Sequence, residues 1–399
     1  MKVISNTILI ITMMLCSIGI FAQTGENVNA ASKLMQSDRN LTIGGYGQID
    51  YNQPLGNNTI NNGKLDVHRM VLLFGYRFND KLNFVTEIEI EHVKEVYVEQ
   101  AFLNYSFNTY LNLRGGLMLV PMGIINEYHE PTTFNGVERP LIDYYIAPTT
   151  WREIGIGATG TIPEVSLKYQ AYIMNGFSSY NGSPKLSGKY GMRKGRQKGA
   201  ESIIRTPAFA GRLDYFGLRG LNLGFSIYSG KTQTSLYKDL DRSDSPAIST
   251  ADSSVVAMTM FGLDAKYQIS GIQLRAQGYY SNLSNTSEYN YFTATDNIAN
   301  DLGNSMYGYY LEAGYNVFYE MKKIKSELIV FARFSEFDTQ NTVMDGAVKN
   351  PAYHKQAITY GLGWKPISAV AVKADIQMIK PESSNTWSNT FNAGIAVWF

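Results

Sequence analysis

The feature that most constrains this chain is a series of about sixteen segments in which apolar and polar residues alternate. Leu111, Leu113 and Leu117, for example, alternate with Asn112 and Arg114. Period-two alternation over about ten residues is typical of β-strands that face two different environments. The predicted strands cover residues 41–51, 66–78, 82–92, 95–107, 110–120, 151–161, 165–174, 208–216, 221–231, 255–269, 272–281, 306–318, 324–338, 356–365, 370–379 and 389–399.

The connections between these segments are sorted by length. With an even number of strands, every short turn falls at one end of the sheet and nearly every long connection at the other, the short link at 93–94 being the exception. A soluble all-β protein has no reason to sort its connections, whereas outer-membrane barrels combine short periplasmic turns with long extracellular loops. The sequence therefore predicts an all-β fold, a porin-like transmembrane antiparallel β-barrel of about sixteen strands.

The first 22 residues have the pattern of a secretory signal peptide. Lys2 precedes an apolar stretch at 8–20, which is too short for a comfortable membrane-spanning helix, and Ala22 offers a cleavage site. The single cysteine, Cys16, lies in this stretch, and Leu15 before it argues against a lipoprotein signal. We predict a signal peptide at 1–22, a loose periplasmic lead-in at 23–40 and a barrel at 41–399 in the bacterial outer membrane.

Composition favours a barrel over a bundle of membrane-spanning helices. Aromatic residues make up 13% of the chain, glycines number 36, and hydrophobic residues reach only 44%. A barrel accommodates this polarity because only every second strand residue faces lipid. The formal net charge of +1 argues against nucleic acid as a partner, and no residue pattern implies a cofactor.

The last predicted strand ends the chain on Phe399. Phe391, Ile395 and Val397 lie on the same face as this terminal residue. A strand that ends flush with the chain leaves no segment to cover its edge, so we expect it to pair with the strand at 41–51 and close the barrel. A terminal aromatic also resembles the residue read by the barrel-assembly machinery, and Phe399 is therefore predicted to be an assembly signal.

The connection at 121–150 is the candidate constriction. A barrel of this size is too wide for its own side chains to fill, so it should enclose an aqueous channel that something must narrow. The connection mixes apolar, aromatic and charged residues, which favours folding inward; the alternative is an exposed surface loop. The charged residues predicted at the pore or its constriction are Arg114, Glu127, Glu130, Glu138, Arg139 and Arg152.

Two groups of cations have alternative interpretations. Arg139 and Arg152 could face the pore, or they could pair with Glu138, Glu153 or nearby acids and hold the loop. A basic run on a predicted outer loop could collect anions or contact lipopolysaccharide phosphates, or it could be a mobile solvated loop. The run consists of Lys185, Lys189, Arg193, Lys194, Arg196 and Lys198, followed by Arg205.

Several stretches between Arg69 and Gly160 share a family pattern. They are the strand at 70–78, Gln-Ala-Phe-Leu-Asn-Tyr at 100–105, Arg-Gly-Gly at 114–116, Pro-Met-Gly at 121–123, Glu-Arg-Pro at 138–140 and Trp-Arg-Glu-Ile-Gly at 151–155. Together they resemble the phosphate-selective porin O and P family. The resemblance implies a sixteen-stranded, water-filled, trimeric channel whose third external loop folds into the pore. It also implies anion selectivity through rows of arginines and a lysine cluster.

The charges predicted to face the lumen depart from that family pattern because they nearly cancel. A phosphate filter needs concentrated positive charge, so the balance predicts only a weak ion preference. The cations are Arg69, Arg77, Arg114, Lys168, Arg212, Lys266, Arg275, Arg333 and Lys373. The acids are Asp50, Glu87, Glu89, Glu91, Asp214, Asp264, Glu312, Glu327 and Asp375.

No catalytic or metal-binding motif is indicated. The histidines, at 68, 92, 129 and 354, form no pair with metal-ligand spacing. We predict a porin for passive diffusion of small hydrophilic solutes, including inorganic anions such as phosphate. Its predicted partners are outer-membrane lipid, lipopolysaccharide, the barrel-assembly machinery and two further copies of the chain. The alternative is an outer-membrane barrel of another class, an enzyme or an adhesin, with a plugged lumen.

Overall fold

A computed structural model describes residues 29–37, 39–56 and 60–399. The predicted signal peptide, with Cys16, lies outside the described residues. Sixteen antiparallel strands form a closed barrel in which each strand pairs with its neighbours along the chain and the last pairs with the first. The predicted sixteen-stranded barrel is confirmed. Its strands are β1 Leu41–Leu55, β2 Lys64–Arg77, β3 Leu82–Glu91, β4 Glu95–Asn108, β5 Leu111–Leu119, β6 Arg152–Ile162, β7 Leu167–Met174, β8 Ala208–Leu218, β9 Leu221–Lys231, β10 Ala257–Ile269, β11 Ile272–Ser284, β12 Ser305–Asn316, β13 Glu327–Thr342, β14 His354–Ile367, β15 Val370–Pro381 and β16 Ser388–Trp398.

The outer and inner faces of the barrel differ as the alternation predicts. Large apolar side chains such as Ile156, Leu263 and Leu311 are exposed on the outside of the sheet, where they would meet lipid. The residues between them along each strand point into the barrel, where most are buried. No helix in the described part of the chain is long and apolar enough to cross a membrane.

Phe399 lies at the seam that closes the barrel. Ile49 pairs with Ile395 along the β1–β16 ladder. Beyond the last strand residue, the Phe399 N–H donates to the Gly45 carbonyl and the Gly45 N–H donates to the Phe399 carbonyl, both at 2.9 Å. The predicted pairing of the last strand with the first is therefore confirmed.

Two β-bulges interrupt the wall on either side of β3. Glu87 of β3 pairs with Gln100 and Ile88 pairs with Val98, which leaves Glu99 as an extra residue. A break in alternation predicts this bulge. On the other side, Gln48 pairs with Arg69 while the next residue of β1 pairs with Val67, so His68 is the extra residue. Each bulge adds a polar side chain to a short stretch of the inner wall.

The remaining elements lie in the connections or inside the barrel. We call the two ends of the barrel the long-loop end and the short-turn end, after their connections. The helices are α1 Ala30–Met35, α2 Ile142–Tyr145, α3 Ser245–Ser253 and α4 Thr286–Phe292. Single 3₁₀ turns lie at Pro163–Val165, Arg193–Gly195 and Ser235–Tyr237, and two short strands, Ser178–Tyr180 and Gln233–Thr234, pair in parallel.

Helix α1 differs from the prediction of a loose lead-in. It begins after Asn29, whose side chain accepts a hydrogen bond from the Ser32 N–H at 2.9 Å. Its apolar residues Ala30, Ala31 and Leu34 are buried against the inner wall at the short-turn end. Six residues are too few to show helical periodicity and too few to be stable alone, so the helix depends on its docking inside the barrel.

Candidate functional site

The connection at 121–150, here called the lumen loop, lies inside the barrel. The wall opposite β5 and β6 is here called the far wall. There the Lys373 ammonium of β15 donates to the carbonyls of Phe134 at 2.7 Å and Gly136 at 2.8 Å. Next to it, the Asp375 carboxylate accepts from the Val137 N–H at 2.7 Å. Charged side chains of the wall thus satisfy the backbone of a segment that has little regular structure of its own.

Arg333 of β13 is another anchor of the lumen loop. Its guanidinium donates to the Asn135 carbonyl at 2.6 Å and forms an ion pair with Glu312 at 2.6 Å. The Asn135 amide in turn donates to Glu312 at 2.9 Å. Because all three side chains are buried, the network fixes the middle of the loop against the far wall.

Two acids predicted at the constriction instead hold the near side of the lumen loop. The Glu127 carboxylate accepts both of its hydrogen bonds, at 2.9 Å each, from the Gln170 amide of β7. Glu130 accepts from the Ala30 N–H at the start of α1, at 3.0 Å. Both carboxylates are buried, so their contacts fasten the loop to its surroundings.

A buried ionic cluster joins the lumen loop to the bulge in β4. His129 Nε2 lies 3.1 Å from Glu99 and 3.4 Å from Glu87. In the described part of the chain, these residues form the one group whose geometry could hold a metal ion. Their donor atoms are already engaged, since Glu87 accepts from Tyr46 at 2.9 Å and Glu99 lies 3.5 Å from Arg152. The cluster therefore works as an ionic anchor of the loop.

The connection at 175–207 carries the basic run and roofs the long-loop end. It reaches across to the opposite rim, where the Gly188 N–H donates to Asp301 at 2.8 Å and the Leu186 N–H donates to the Tyr289 hydroxyl at 3.1 Å. Buried Leu186 and Met192 hold it in place. These contacts give the basic run a packed framework, in contrast to the alternative of a mobile solvated loop.

This framework divides the basic run into two groups. Lys189 and Lys194 are exposed and lie over the ring of Tyr190. Lys185 is half-buried and donates to Ser183 at 3.1 Å. The other three cations, Arg193, Arg196 and Lys198, turn toward the lumen and line a cavity.

That cavity, here called the basic cavity, has a volume of about 460 Å³. It lies between the lumen loop, the connection at 175–207 and the inner wall of β1–β4. Six cations and three acids line the cavity. The cations are Arg69, Arg139, Arg152, Arg193, Arg196 and Lys198, and the acids are Glu89, Glu91 and Glu138.

Four of these cations have no carboxylate within 4.0 Å among the described residues. Arg139 donates to the His129 carbonyl at 2.9 Å. Arg193 and Arg196 donate to one carbonyl, that of Thr149. Lys198 lies 4.5 Å from the ring centre of Tyr97. Their charges are held by neutral partners and stay available to an anion.

The pKa values of two outer-loop cations are lowered mainly by burial and then by this excess of positive charge. Burial, followed by the neighbouring Arg193 and Arg152 charges, lowers the pKa of Arg196 to about 9. Burial and then the charges of Arg196 and Arg152 also lower the pKa of Lys198. An anion in the cavity would relieve both effects because it stabilises the charged forms.

The two predicted pore-facing arginines differ in their surroundings. Arg139 forms no ion pair with Glu138, which instead accepts from the Asn52 amide at 3.0 Å. Arg152 pairs with Glu99 and not with Glu153, so part of its charge is neutralised. Both line the basic cavity together with Glu138.

Arg114, the remaining predicted residue, lies elsewhere. It donates to Asn104 at 2.9 Å and lines a second cavity of about 220 Å³ near the short-turn end. We call this second space the exit cavity. Its wall also includes Ser32, Gln36 and Lys168.

Many wall residues of the basic cavity were not among the predicted site residues, and three of them lie at or next to the bulges. Arg69 and His68 sit at the bulge in β2, and Tyr97 precedes the bulge in β4. The sequence does contain a signal for the β2 bulge, because the apolar residues that face outward change phase between Val67 and Met70.

Comparison with known proteins gives both a family and a fold. The model of the family described as phosphate-selective porin O and P matches residues 41–393. An uncharacterised protein of Aquifex aeolicus (strain VF5) is 35% identical over 358 residues, which cover 87% of this chain and 77% of that protein.

Solved structures with the same fold are more distant in sequence. The outer membrane channel DcaP of Acinetobacter baumannii has a TM-score of 0.57 at 11% identity, over 90% of this chain and 97% of that one. An anion-selective porin from Comamonas acidovorans has a TM-score of 0.56 at 12% identity, over 90% and 99%. OmpT of Vibrio cholerae, in a trimer form, has a TM-score of 0.53 at 11% identity, over 90% and 100%.

Proposed function

Because this chain belongs to the phosphate-selective porin O and P family and is an outer-membrane porin, we propose that its basic cavity conducts small anions by passive diffusion. The observation that carries the proposal is a set of four cations around one cavity in the lumen that have no carboxylate partner among the described residues: Arg139, Arg193, Arg196 and Lys198. Oxyanions such as phosphate fit this site because guanidinium groups bind them through paired hydrogen bonds.

The cavity can concentrate anions without a deep binding site. Two unit charges about 4 Å apart interact by roughly 4 kcal/mol at an effective dielectric constant of about 20. The cations are spread over the cavity wall, so an ion can pass from one to the next and avoid being trapped at any of them. The three acids of the cavity repel an anion and so weaken its binding, which favours its release.

The near balance of inward charges does not contradict this proposal, because most of the wall charges are paired locally. Arg212 lies 2.6 Å from Asp214 and 2.7 Å from Asp264. Arg333 pairs with Glu312. Paired charges create little field at a distance, so ion preference depends on the cations that lack such partners.

We expect the double variant Arg196→Gln and Lys198→Gln to lower the anion-to-cation permeability ratio by about tenfold. Each of the two unit charges, about 10 Å from the ion path, contributes roughly 1.5 kcal/mol at an effective dielectric constant of about 20, and screening by salt reduces their sum to the roughly 1.4 kcal/mol that a tenfold change requires. The ratio is measured as the reversal potential of purified protein in a planar bilayer under a salt gradient. The matched control is Lys189→Gln with Lys194→Gln, which removes two exposed charges of the same loop. An equal effect of both pairs would contradict a selective role for the basic cavity.

The alternative predicted for the sequence was an enzyme or adhesin barrel with a plugged lumen. The family and the fold are those of a channel. The lumen loop borders cavities toward both ends of the barrel, which fits a narrowed channel better than a solid plug. Purified protein that gave no conductance steps would favour the alternative.

We also propose a homotrimer that contacts lipopolysaccharide through lysines at its rim. A structural neighbour, OmpT of Vibrio cholerae, is described as a trimer. Lys185, Lys189 and Lys194 lie at the rim, where lipopolysaccharide phosphates would be within reach. Chemical cross-linking of outer membranes should give a species of three times the monomer mass, and a monomer alone at saturating cross-linker would contradict the trimer.

A further inference from the structure

The inner wall of this porin carries an apolar patch at its short-turn end. It consists of Tyr46, Val71, Leu73, Val85 and Phe102, each no more than 2% exposed. The inner face of a water-filled barrel is ordinarily polar. An uncovered apolar patch costs about 25 cal/mol for each Å² left in water, so the patch is built to be covered.

Helix α1 is its cover. Ala30, Ala31 and Leu34 lie in one buried cluster with the patch residues. At Gly75 the wall has a socket for the helix, because a Cβ there would lie 2.9 Å from the Cβ of Leu34. A Cβ at this position fits only if the docked helix shifts slightly, and a branched side chain such as valine would push the helix away from the wall.

Two contacts at the ends of α1 tie it to functional parts of the barrel. The Lys33 ammonium lies 4.1 Å from the ring centre of Trp398, which itself stacks on Tyr46. At the other end, the Ala30 N–H donates to Glu130 of the lumen loop. The helix therefore extends the lumen loop toward the short-turn end.

The opposite side of α1 faces open space in the lumen. Ser32, Met35 and Gln36 line the exit cavity, across from Arg114 and Lys168. The helix thus stands between the apolar wall and the open part of the lumen. The chain has five residues between Met35 and Leu41, which can span at most about 17 Å, so the helix can shift without unpairing β1.

We propose that α1 is a built-in plug segment that sets the width of the exit and hence the conductance of the channel. This inference rests on the porin function, but it concerns the size of the passage and is independent of ion preference. Docked, the helix takes up part of the lumen beside the exit cavity and so narrows the passage there. Displaced, it frees a space about as wide as a helix, about 10 Å with side chains.

The test is Gly75→Val, which removes the socket. We expect single-channel conductance to rise about twofold, while the reversal potential stays that of the wild type because the basic cavity is untouched. The matched control is Gly363→Val on the inner face of β14, where a Cβ would meet only Lys373 Cγ at 4.0 Å. Unchanged conductance of a folded Gly75→Val channel would overturn the proposal.

A second variant covers the case in which Gly75→Val fails to assemble. Leu34→Cys with Gly75→Cys places two thiols in a chain whose single native cysteine is Cys16, at a separation that a disulfide can span after a small shift. We expect low conductance when oxidised and about twice that value after reduction, with no redox effect in either single variant. Equal conductance in both states would refute a plug. A wild type that never conducts, beside a reduced variant that does, would support the plug and contradict a constitutively open porin.

Discussion

Deletion of Phe399 is expected to reduce the amount of folded barrel in the outer membrane by at least about tenfold. The residue closes the last rung between the two ends of the barrel, with two hydrogen bonds of 2.9 Å to Gly45. Each is worth about 1 kcal/mol, and a backbone group left unpaired in lipid costs several kcal/mol. A loss of 1.4 kcal/mol lowers the equilibrium constant of the step that closes the barrel during assembly by a factor of ten.

Two variants separate the contributions of the backbone and the ring. Phe399→Ala keeps the backbone pairing and removes the ring, which lies against the Gly45 backbone. Phe399→Tyr keeps both. If the assembly machinery reads the ring, Phe399→Ala should assemble as poorly as the deletion and Phe399→Tyr should assemble normally. The measurements are heat-modifiable gel mobility of outer-membrane fractions and the conductance of channels that do assemble. Normal assembly of the deletion variant would contradict the role of this residue.

The barrel could be predicted from the sequence because its signal repeats sixteen times. Each strand contrasts lipid with water, and the contrast has a period of two that survives local exceptions. The ends of the strands were harder to predict from the sequence. β1 continues to Leu55 and β13 to Thr342, where pairing goes on among polar residues such as Asn52 and Asn392. Hydrophobicity gives no signal there, because both faces are polar.

The sequence indicated several residues of the candidate site, but it did not indicate how they are arranged in space. Arg139, Arg152 and part of the basic run lie around one cavity, yet they come from three segments that meet only after two connections fold inward. Nothing local in the sequence indicates that Arg196 turns inward while Lys194, two residues earlier, stays exposed. That difference depends on the buried anchors of the connection at 175–207, which are tertiary contacts.

Helix α1 could not be predicted from the sequence, for a different reason. Its six residues carry no helical period, and its stability depends on an apolar patch scattered over β1–β4. A signal for that patch does exist, because Val71, Leu73 and Val85 are apolar on the face that should meet water. Apolar residues on the polar face of a barrel strand therefore indicate a segment inside the lumen.

Arg333→Met is expected to release the lumen loop from the far wall and to destabilise the barrel. The guanidinium binds Glu312 and the Asn135 carbonyl, so its loss leaves a buried carboxylate with weaker partners. Removal of one member of a buried ion pair costs about 3–5 kcal/mol. A freed lumen loop should become accessible to protease from the outside, and channel current should become noisier as the loop moves.

The control for this prediction is Arg212→Met. Arg212 is equally buried and pairs with Asp214 and Asp264, but its hydrogen bonds stay within the wall. Both variants should lose a similar amount of thermal stability, since each breaks a buried arginine–carboxylate pair. Only Arg333→Met should expose the lumen loop to limited proteolysis and raise the current noise. If both variants released the loop, its position would depend on the stability of the whole barrel and not on the anchor, and the far-wall contacts would be incidental to the constriction.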